Sequence, residues 1–262
     1  MTDELLCGVP ARKHIFDTHA HYDDERFKPF VNDLLKALNR NGVEGIITCG
    51  CDIRSSKAAL KLADEHDFVY AAVGFHPENL PQGKPDLSEL MPLFEHKKTV
   101  AVGEIGLDHH WDIDKGFQLC WFEAQLELAN RLKLPVIVHD REAHLETLEL
   151  LKKDKPRGVV HAFSGSVEMA KELLKIGMYI GIGGVLTFKN ARKLLDVAKM
   201  LPSDRILLET DCPYMAPVPF RGKTCHSGHI ALTAEKLAEL RNEPIDAVLE
   251  YTRKNAHTLF GI

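Results

Sequence analysis

An alternation along the chain limits its fold more than any single motif does. Short apolar, β-branched runs at residues 14–19, 45–49, 69–74, 100–104, 136–139, 158–161, 179–183 and 206–209 are separated by longer amphipathic stretches. Those stretches fall at 30–39, 55–66, 115–132, 143–152, 167–175 and 191–201, and two more, 231–241 and 245–258, close the chain. Strand runs alternating with helical stretches predict parallel strands joined by crossover helices. The runs are apolar almost throughout, as strands are when helices cover both faces of their sheet. An open, doubly wound sheet is the rival fold, and it announces itself by a glycine-rich loop after the first strand. Here that loop reads His19-Ala20-His21-Tyr22-Asp23-Asp24, with no glycine. Eight units in 262 residues leave no room for a second domain, and no Pro/Gly/Ser linker or low-complexity segment divides the chain. The expectation is one α/β domain over residues 1–262, a closed (β/α)8 TIM barrel.

Barrels of this kind gather their functional side chains at the C-terminal ends of the strands. Those ends carry His19 and His21, then Cys49, His76, Glu104, His139, His161, Gly183 and Asp211. His19 and His21 stand two residues apart, so in a strand both imidazoles face one point. Chance supplies roughly 0.7 His-x-His triplets at this histidine content, so the pair needs its context. Taken singly, His139 and His161 read more readily as core or capping histidines than as ligands. Glu104, between Gly103 and Ile105, and Asp211, after Leu207-Leu208-Glu209-Thr210, resist that reading, because an acid amid apolar residues is not buried unpaired. Together, the imidazoles of His19, His21, His139 and His161 and the carboxylates of Glu104 and Asp211 predict a hydrolytic centre for two divalent metal ions. Glu104, across the barrel from the first strand, is expected to bridge the ions, with a water acidified between them. Asp211 is expected to hold one ion and accept the nucleophile's proton. The mixed N/O set favours Zn or Mn over Mg.

Composition narrows the setting. A net charge of −5 gives no global attraction to nucleic acid or anionic lipid, so a phosphate-bearing substrate needs a local positive site. No apolar run reaches the 18 residues of a membrane span, and the N-terminus, with Asp3 and Glu4, does not read as a signal peptide. The cysteines, Cys7, Cys49, Cys51, Cys120, Cys212 and Cys225, show no C-x-x-C pair. They are expected to be reduced thiols of a cytoplasmic protein. His109 and His110 read as loop residues, His226 and His229 as part of the last barrel helices, and Met169, Met178 and Met200 as core.

Six blocks then fall in a recognisable order: Asp17-Thr18-His19-Ala20-His21, Gly74-Phe75-His76-Pro77, Gly103-Glu104-Ile105-Gly106-Leu107-Asp108, Pro135-Val136-Ile137-Val138-His139, His161-Ala162-Phe163-Ser164-Gly165 and Leu208-Glu209-Thr210-Asp211-Cys212-Pro213-Tyr214. From about residue 14 to 262 the chain resembles the TatD family of metal-dependent hydrolases, down to the closing Asn255-Ala256 and Leu259-Phe260-Gly261. The resemblance implies a (β/α)8 barrel, a divalent-metal site and deoxyribonuclease activity on DNA phosphodiesters. Carried over by motif, the ligands are His19, His21, Glu104, His139, His161 and Asp211. His76 matches a position facing the scissile phosphate, and Arg141 and Arg221 resemble further phosphate contacts. Three departures stand out: Thr224-Cys225-His226-Ser227-Gly228-His229 replaces a more usual Arg-Asn-Glu-Pro-like run, Ala162 replaces a common Cys, and Asp140 follows His139 where Ser or Cys is frequent.

The expected function is therefore a metal-dependent 3′–5′ exonuclease on DNA, with no membrane and no obligate protein partner. The alternative is an amidohydrolase-like enzyme acting on a non-nucleic-acid ester, lactone, amide or aminoacyl bond, since one scaffold serves several chemistries. Glu104 stands where such relatives often carry a modified lysine, which tilts the reading towards the nuclease. A catalytically silent barrel is disfavoured, because it has no need of every ligand.

Overall fold

The computed structural model describes residues 6–262, and the Asp3 and Glu4 reading lies outside them. Eight strands follow one another around a single parallel sheet: β1 (Ile15–Ala20), β2 (Val43–Cys49), β3 (Val69–Val73), β4 (Thr99–Asp108), β5 (Val136–Arg141), β6 (Gly158–Val160), β7 (Tyr179–Ile182) and β8 (Ile206–Leu208). The seam between β8 and β1 is closed by the chain just past β8. There the Asp211 N–H donates to the His19 carbonyl at 2.9 Å and the His21 N–H to the Cys212 carbonyl at 2.7 Å. The sheet is thus a (β/α)8 barrel, as the alternation predicts.

Helices α1 (Val31–Arg40), α2 (Ile53–Glu65), α3 (Met91–Phe94), α4 (Lys115–Leu132), α5 (His144–Asp154), α6 (Val167–Lys175), α7 (Arg192–Met200), α8 (Ile230–Arg241) and α9 (Ile245–Phe260) surround it. Local sequence sets their starts. The Asp52 carboxylate accepts from the Ser55 N–H at 2.7 Å at the head of α2, Asp114 does the same for Phe117 at α4, and Ser166 for Met169 at α6. The pattern of one long helix per strand fails after β3. That connection holds only a 3-10 turn (Pro77–Asn79) and the four-residue α3, because Pro77, Pro81, Pro85 and Pro92 leave no uninterrupted run.

Two packing features position the rim. At the N-terminal end of the barrel, Phe16, Val100, Val159 and Leu207 pack with Ala256, Leu259 and Phe260 of α9. Asn255 fixes that helix by donating to the Ile206 carbonyl at 2.8 Å. On α4, Gln118 and Gln125 lie two turns apart on the buried face. The Gln125 amide exchanges two hydrogen bonds with the Phe75 backbone (2.7 and 3.0 Å), and Gln118 exchanges two with that of Asp108 (both 2.8 Å). One helix thereby fixes the chain just before His76 and the last residue of β4, with no buried amide left unpaired. Met169 and Met178 are buried, and Met200 is half-buried against the core.

Candidate metal centre

Five imidazoles and two carboxylates meet at the C-terminal mouth of the barrel, with Glu104 in the middle. Glu104 Oε2 lies 3.2 Å from His19 Nε2 and 3.5 Å from His21 Nε2. Its other oxygen, Oε1, lies 2.8 Å from His161 Nε2, 2.9 Å from His139 Nδ1 and 3.5 Å from His76 Nε2. Asp211 Oδ1 completes the first group, 3.4 Å from His21 Nε2 and 3.7 Å from His19 Nε2. All six ligand candidates named from the sequence are brought together here, and His76 with them.

Backbone geometry aims these groups. In β4, Glu104, Gly106 and Asp108 share one face of a ten-residue strand. Gly106 has a φ of +145°, and a Cβ there would sit 2.0 Å from the His139 carbonyl oxygen, so only glycine lets β4 approach β5 this closely. Asp211 has a φ of +58°, the left-handed region that Asp tolerates better than most residues, and this turns its carboxylate back over the barrel.

The surrounding hydrogen bonds set which imidazole nitrogen faces inward. His21 Nδ1 donates to the Cys49 carbonyl at 3.1 Å, so Nε2 is the nitrogen that faces the cluster. His139 Nε2 donates to Asp108 Oδ2 at 2.9 Å, which presents Nδ1 to the cluster. His76 is arranged the other way. Its Nδ1 accepts the Glu78 N–H at 3.2 Å, so the ring proton sits on Nε2, on the Glu104 side. Burial holds its pKa down to about 3, so it remains a neutral N–H donor.

Electrostatics follow from the same packing. Burial opposes charge on Glu104, but His161, His19, His76 and His139 together hold its carboxyl well below the usual range. Burial and the neighbouring His161 push His19 down to about 4, leaving it neutral. Burial also works against charge on His139, yet hydrogen bonds to Asp108 and Glu104 hold it up to about 10. His21 is raised well above its ordinary value, against its own burial, by Cys51 and Asp211. These N/O donors suit a divalent transition ion, and the groups His19–His21–Asp211 and His19–Glu104–His161 each bring three ligand atoms within 4.8 Å of one another. Because His139 carries an extra proton at neutral pH, a metal must displace it. Calorimetric titration of Mn2+ or Zn2+ at pH 7.5 in buffers of different ionisation enthalpy is expected to show release of about one proton or more per chain. Apparent affinity is expected to rise with pH, and a titration without proton release would contradict this arrangement.

Other residues land differently. Arg141 is exposed, with Nη1 4.0 Å from Asp108 Oδ2, and Arg221 is exposed with its guanidinium 4.1 Å from the Phe188 ring centre. Neither arginine joins the cluster. Asp140 points away from it and accepts from His144 Nδ1 at 2.8 Å, so it does not add charge beside the histidines. His226 and His229 are not in the last helices. They flank and end a buried 3-10 turn (Ser227–His229) ahead of α8, with stacked rings 4.0 Å apart. His110 is exposed, against Glu142. All six cysteines are free thiols, and Cys51 Sγ lies 3.8 Å from His21 Nδ1.

Three acids of the site escaped the sequence reading. Asp108, which orients His139, is four residues after Glu104 and so on its face of the strand. Ending that strand at 104 hid it. Asp17, fully buried, accepts from the His19 and Thr210 N–H groups at 3.3 and 3.0 Å and from the Thr210 and Ser227 hydroxyls at 2.5 and 2.7 Å. Glu209 accepts the Ala162 N–H and lies 3.8 Å from His161 Nδ1, its carboxyl pushed up to about 7 by burial.

Residues 16–261 match the family model for TatD-related DNases. YabD of Bacillus subtilis, named an uncharacterized metal-dependent hydrolase, is 38% identical over 253 residues, 95% of this chain and 99% of its own. YjjV of Escherichia coli, named likewise, is 38% identical over 255 residues, 94% of this chain and 97% of its own. The crystal structure of YjjV, described as a TatD homologue, superposes with a TM-score of 0.87 at 36% identity over 95% of this chain and 98% of that one. No described helix is long and apolar enough to cross a membrane. With matching barrel, matching length and a cluster of nitrogen and oxygen donors at its mouth, the chain belongs to the TatD family of metal-dependent hydrolases.

Proposed function

We propose that this hydrolase cleaves DNA phosphodiester bonds, working from a 3′ end, and that it uses two divalent ions. His19, His21 and Asp211 would hold one ion, His139 and His161 the other, and Glu104 would serve both. The observation that supports this most is the division of Glu104, whose two oxygens each serve a separate group of imidazoles. Bound divalent ions supply Lewis-acid polarisation of a phosphoryl oxygen and acidify water at neutral pH.

The chain's own residues do the rest. Burial opposes charge on Asp211, but His21 and His19 hold its carboxyl below the usual range. It therefore stays ionised to take the proton of the attacking water as the phosphorus–oxygen bond to the leaving group breaks. His76, neutral and donating from Nε2, suits an anionic phosphoryl oxygen on the Glu104 side of the site. Arg141 and Arg221, on the rim, are assigned to neighbouring phosphates, where a net-acidic chain needs local positive charge.

The test uses a labelled oligonucleotide with Mn2+, Zn2+ or Mg2+. Wild-type protein should shorten it stepwise, and Asp211→Asn should be slower by about 10²–10⁴-fold. Equal rates would remove Asp211 from its role. One observation favours the alternative substrate class, a compact ester, lactone, amide or aminoacyl compound. A cleft of about 560 Å³ opens beside Asp211, with Phe163, Val185, Leu194 and Met215 among its walls. Turnover of small esters with no oligonucleotide cleavage would establish that reading instead.

A further inference from the structure

Two aromatic rings stand exposed where the site opens, and the chemistry above uses neither. Trp111 is 47% exposed and Tyr214 49%. Trp111 lies just past β4 and Tyr214 just past β8, four strands apart in a ring of eight and so on opposite sides of the mouth. Each stands beside a different half of the cluster. Arg141, two residues from His139, lies 6.0 Å from the Trp111 ring centre, and the His110 ring packs edge-on against the indole at 5.1 Å. Tyr214 donates its backbone N–H to the Asp211 carbonyl at 2.9 Å. Its ring carries the Arg26 guanidinium at 4.2 Å, and Arg26 is pinned by two hydrogen bonds to Asp24 of 2.8 and 2.9 Å.

Both rings are thus held in place before a ligand arrives, which lowers the entropy lost on binding. Each pairs a flat π surface with a guanidinium, next to a centre suited to a phosphate diester. The ligand part that such a surface recognises, whatever its sequence, is an unpaired nucleobase. We propose that Trp111 and Tyr214 are base-stacking platforms on either side of the metal centre. The site would then take single-stranded nucleic acid with a base stacked on each side of the scissile phosphate. The inference rests on the phosphodiester reading.

Trp111→Ala and Tyr214→Ala are each expected to lower kcat/KM on a single-stranded oligonucleotide roughly ten- to hundredfold, mainly through KM. Trp111→Phe should keep most of the activity. On an oligonucleotide with base-free residues on both sides of the cleaved bond, the alanine variants should lose little, since the stacking partners are already gone. A second readout needs no turnover. The chain has two tryptophans, and Trp121 is fully buried. A phosphorothioate-linked single strand added to the metal-loaded protein should therefore quench Trp111 emission, and Trp111→Phe should abolish the quenching. Equal losses on base-bearing and base-free strands, or cleavage without quenching, would overturn the platforms. Quenching without cleavage would keep the platforms and overturn the phosphodiester reading, and the absence of both would overturn the two together.

Discussion

Glu104→Gln is expected to lower kcat by on the order of 10³-fold or more, whatever ester the enzyme accepts. The reason is specific to its placement. Both carboxylate oxygens are used, Oε2 towards His19 and His21 and Oε1 towards His139 and His161. An amide can offer an acceptor to one side only, and its NH2 group turns donors towards the other set of nitrogens. The substitution also removes the one negative charge shared by both groups, so elemental analysis should find at least one ion fewer per chain. His139 loses one of the two carboxylates that hold its proton, so metal binding should release fewer protons than in the wild type. A Glu104→Gln protein with full metal content and ordinary kcat would remove Glu104 from the centre of the site.

The second large effect is on stability, and it falls on Asp17. This carboxylate accepts hydrogen bonds from β1, from the chain past β8 and from the 3-10 turn of the Thr224–His229 loop. Asp17→Ala would strand the Thr210 N–H and hydroxyl in a buried position, while the Ser227 hydroxyl would keep the Tyr22 hydroxyl at 2.7 Å. Each unsatisfied group costs about 1–3 kcal/mol, and loss of the seam's packing adds to it, giving about 3–5 kcal/mol in all. For a chain of this size that corresponds to a Tm lower by about 10 °C. Urea unfolding of the metal-free protein would measure it without interference from ligand binding. A loss below about 1 kcal/mol would show that water enters the seam and satisfies the stranded donors. The same carboxylate anchors the loop that departs from the family pattern, since the Ser227 hydroxyl donates to Asp17 at 2.7 Å. Activity should fall with stability in Asp17→Ala, because His19 hangs on that bond. It should recover in part with added metal, which binds only the folded chain.

The sequence by itself settled the architecture, because hydrophobic periodicity is local and repeats eight times. It also picked out the six ligand candidates and His76, because a barrel gathers residues at or near the C-terminal ends of its strands at one mouth. Helices α4 and α6 fall where periodicity predicts, at Lys115–Leu132 and Val167–Lys175. What only the tertiary structure decided is pairing at a distance. That Asp108 reads as a loop residue but orients His139, that Asp140 turns away to His144, and that Asp17 ties together segments some 190 to 210 residues apart depends on how strands stagger against one another. The stagger changes with a single bulge, such as the one between Val102 and Ile105 in β4, and it decides which face each later residue presents. A linear pattern carries each side chain's chemistry and its spacing. Which nitrogen of an imidazole carries the proton, and which oxygen of Glu104 faces which histidines, is fixed only when neighbouring backbones arrive.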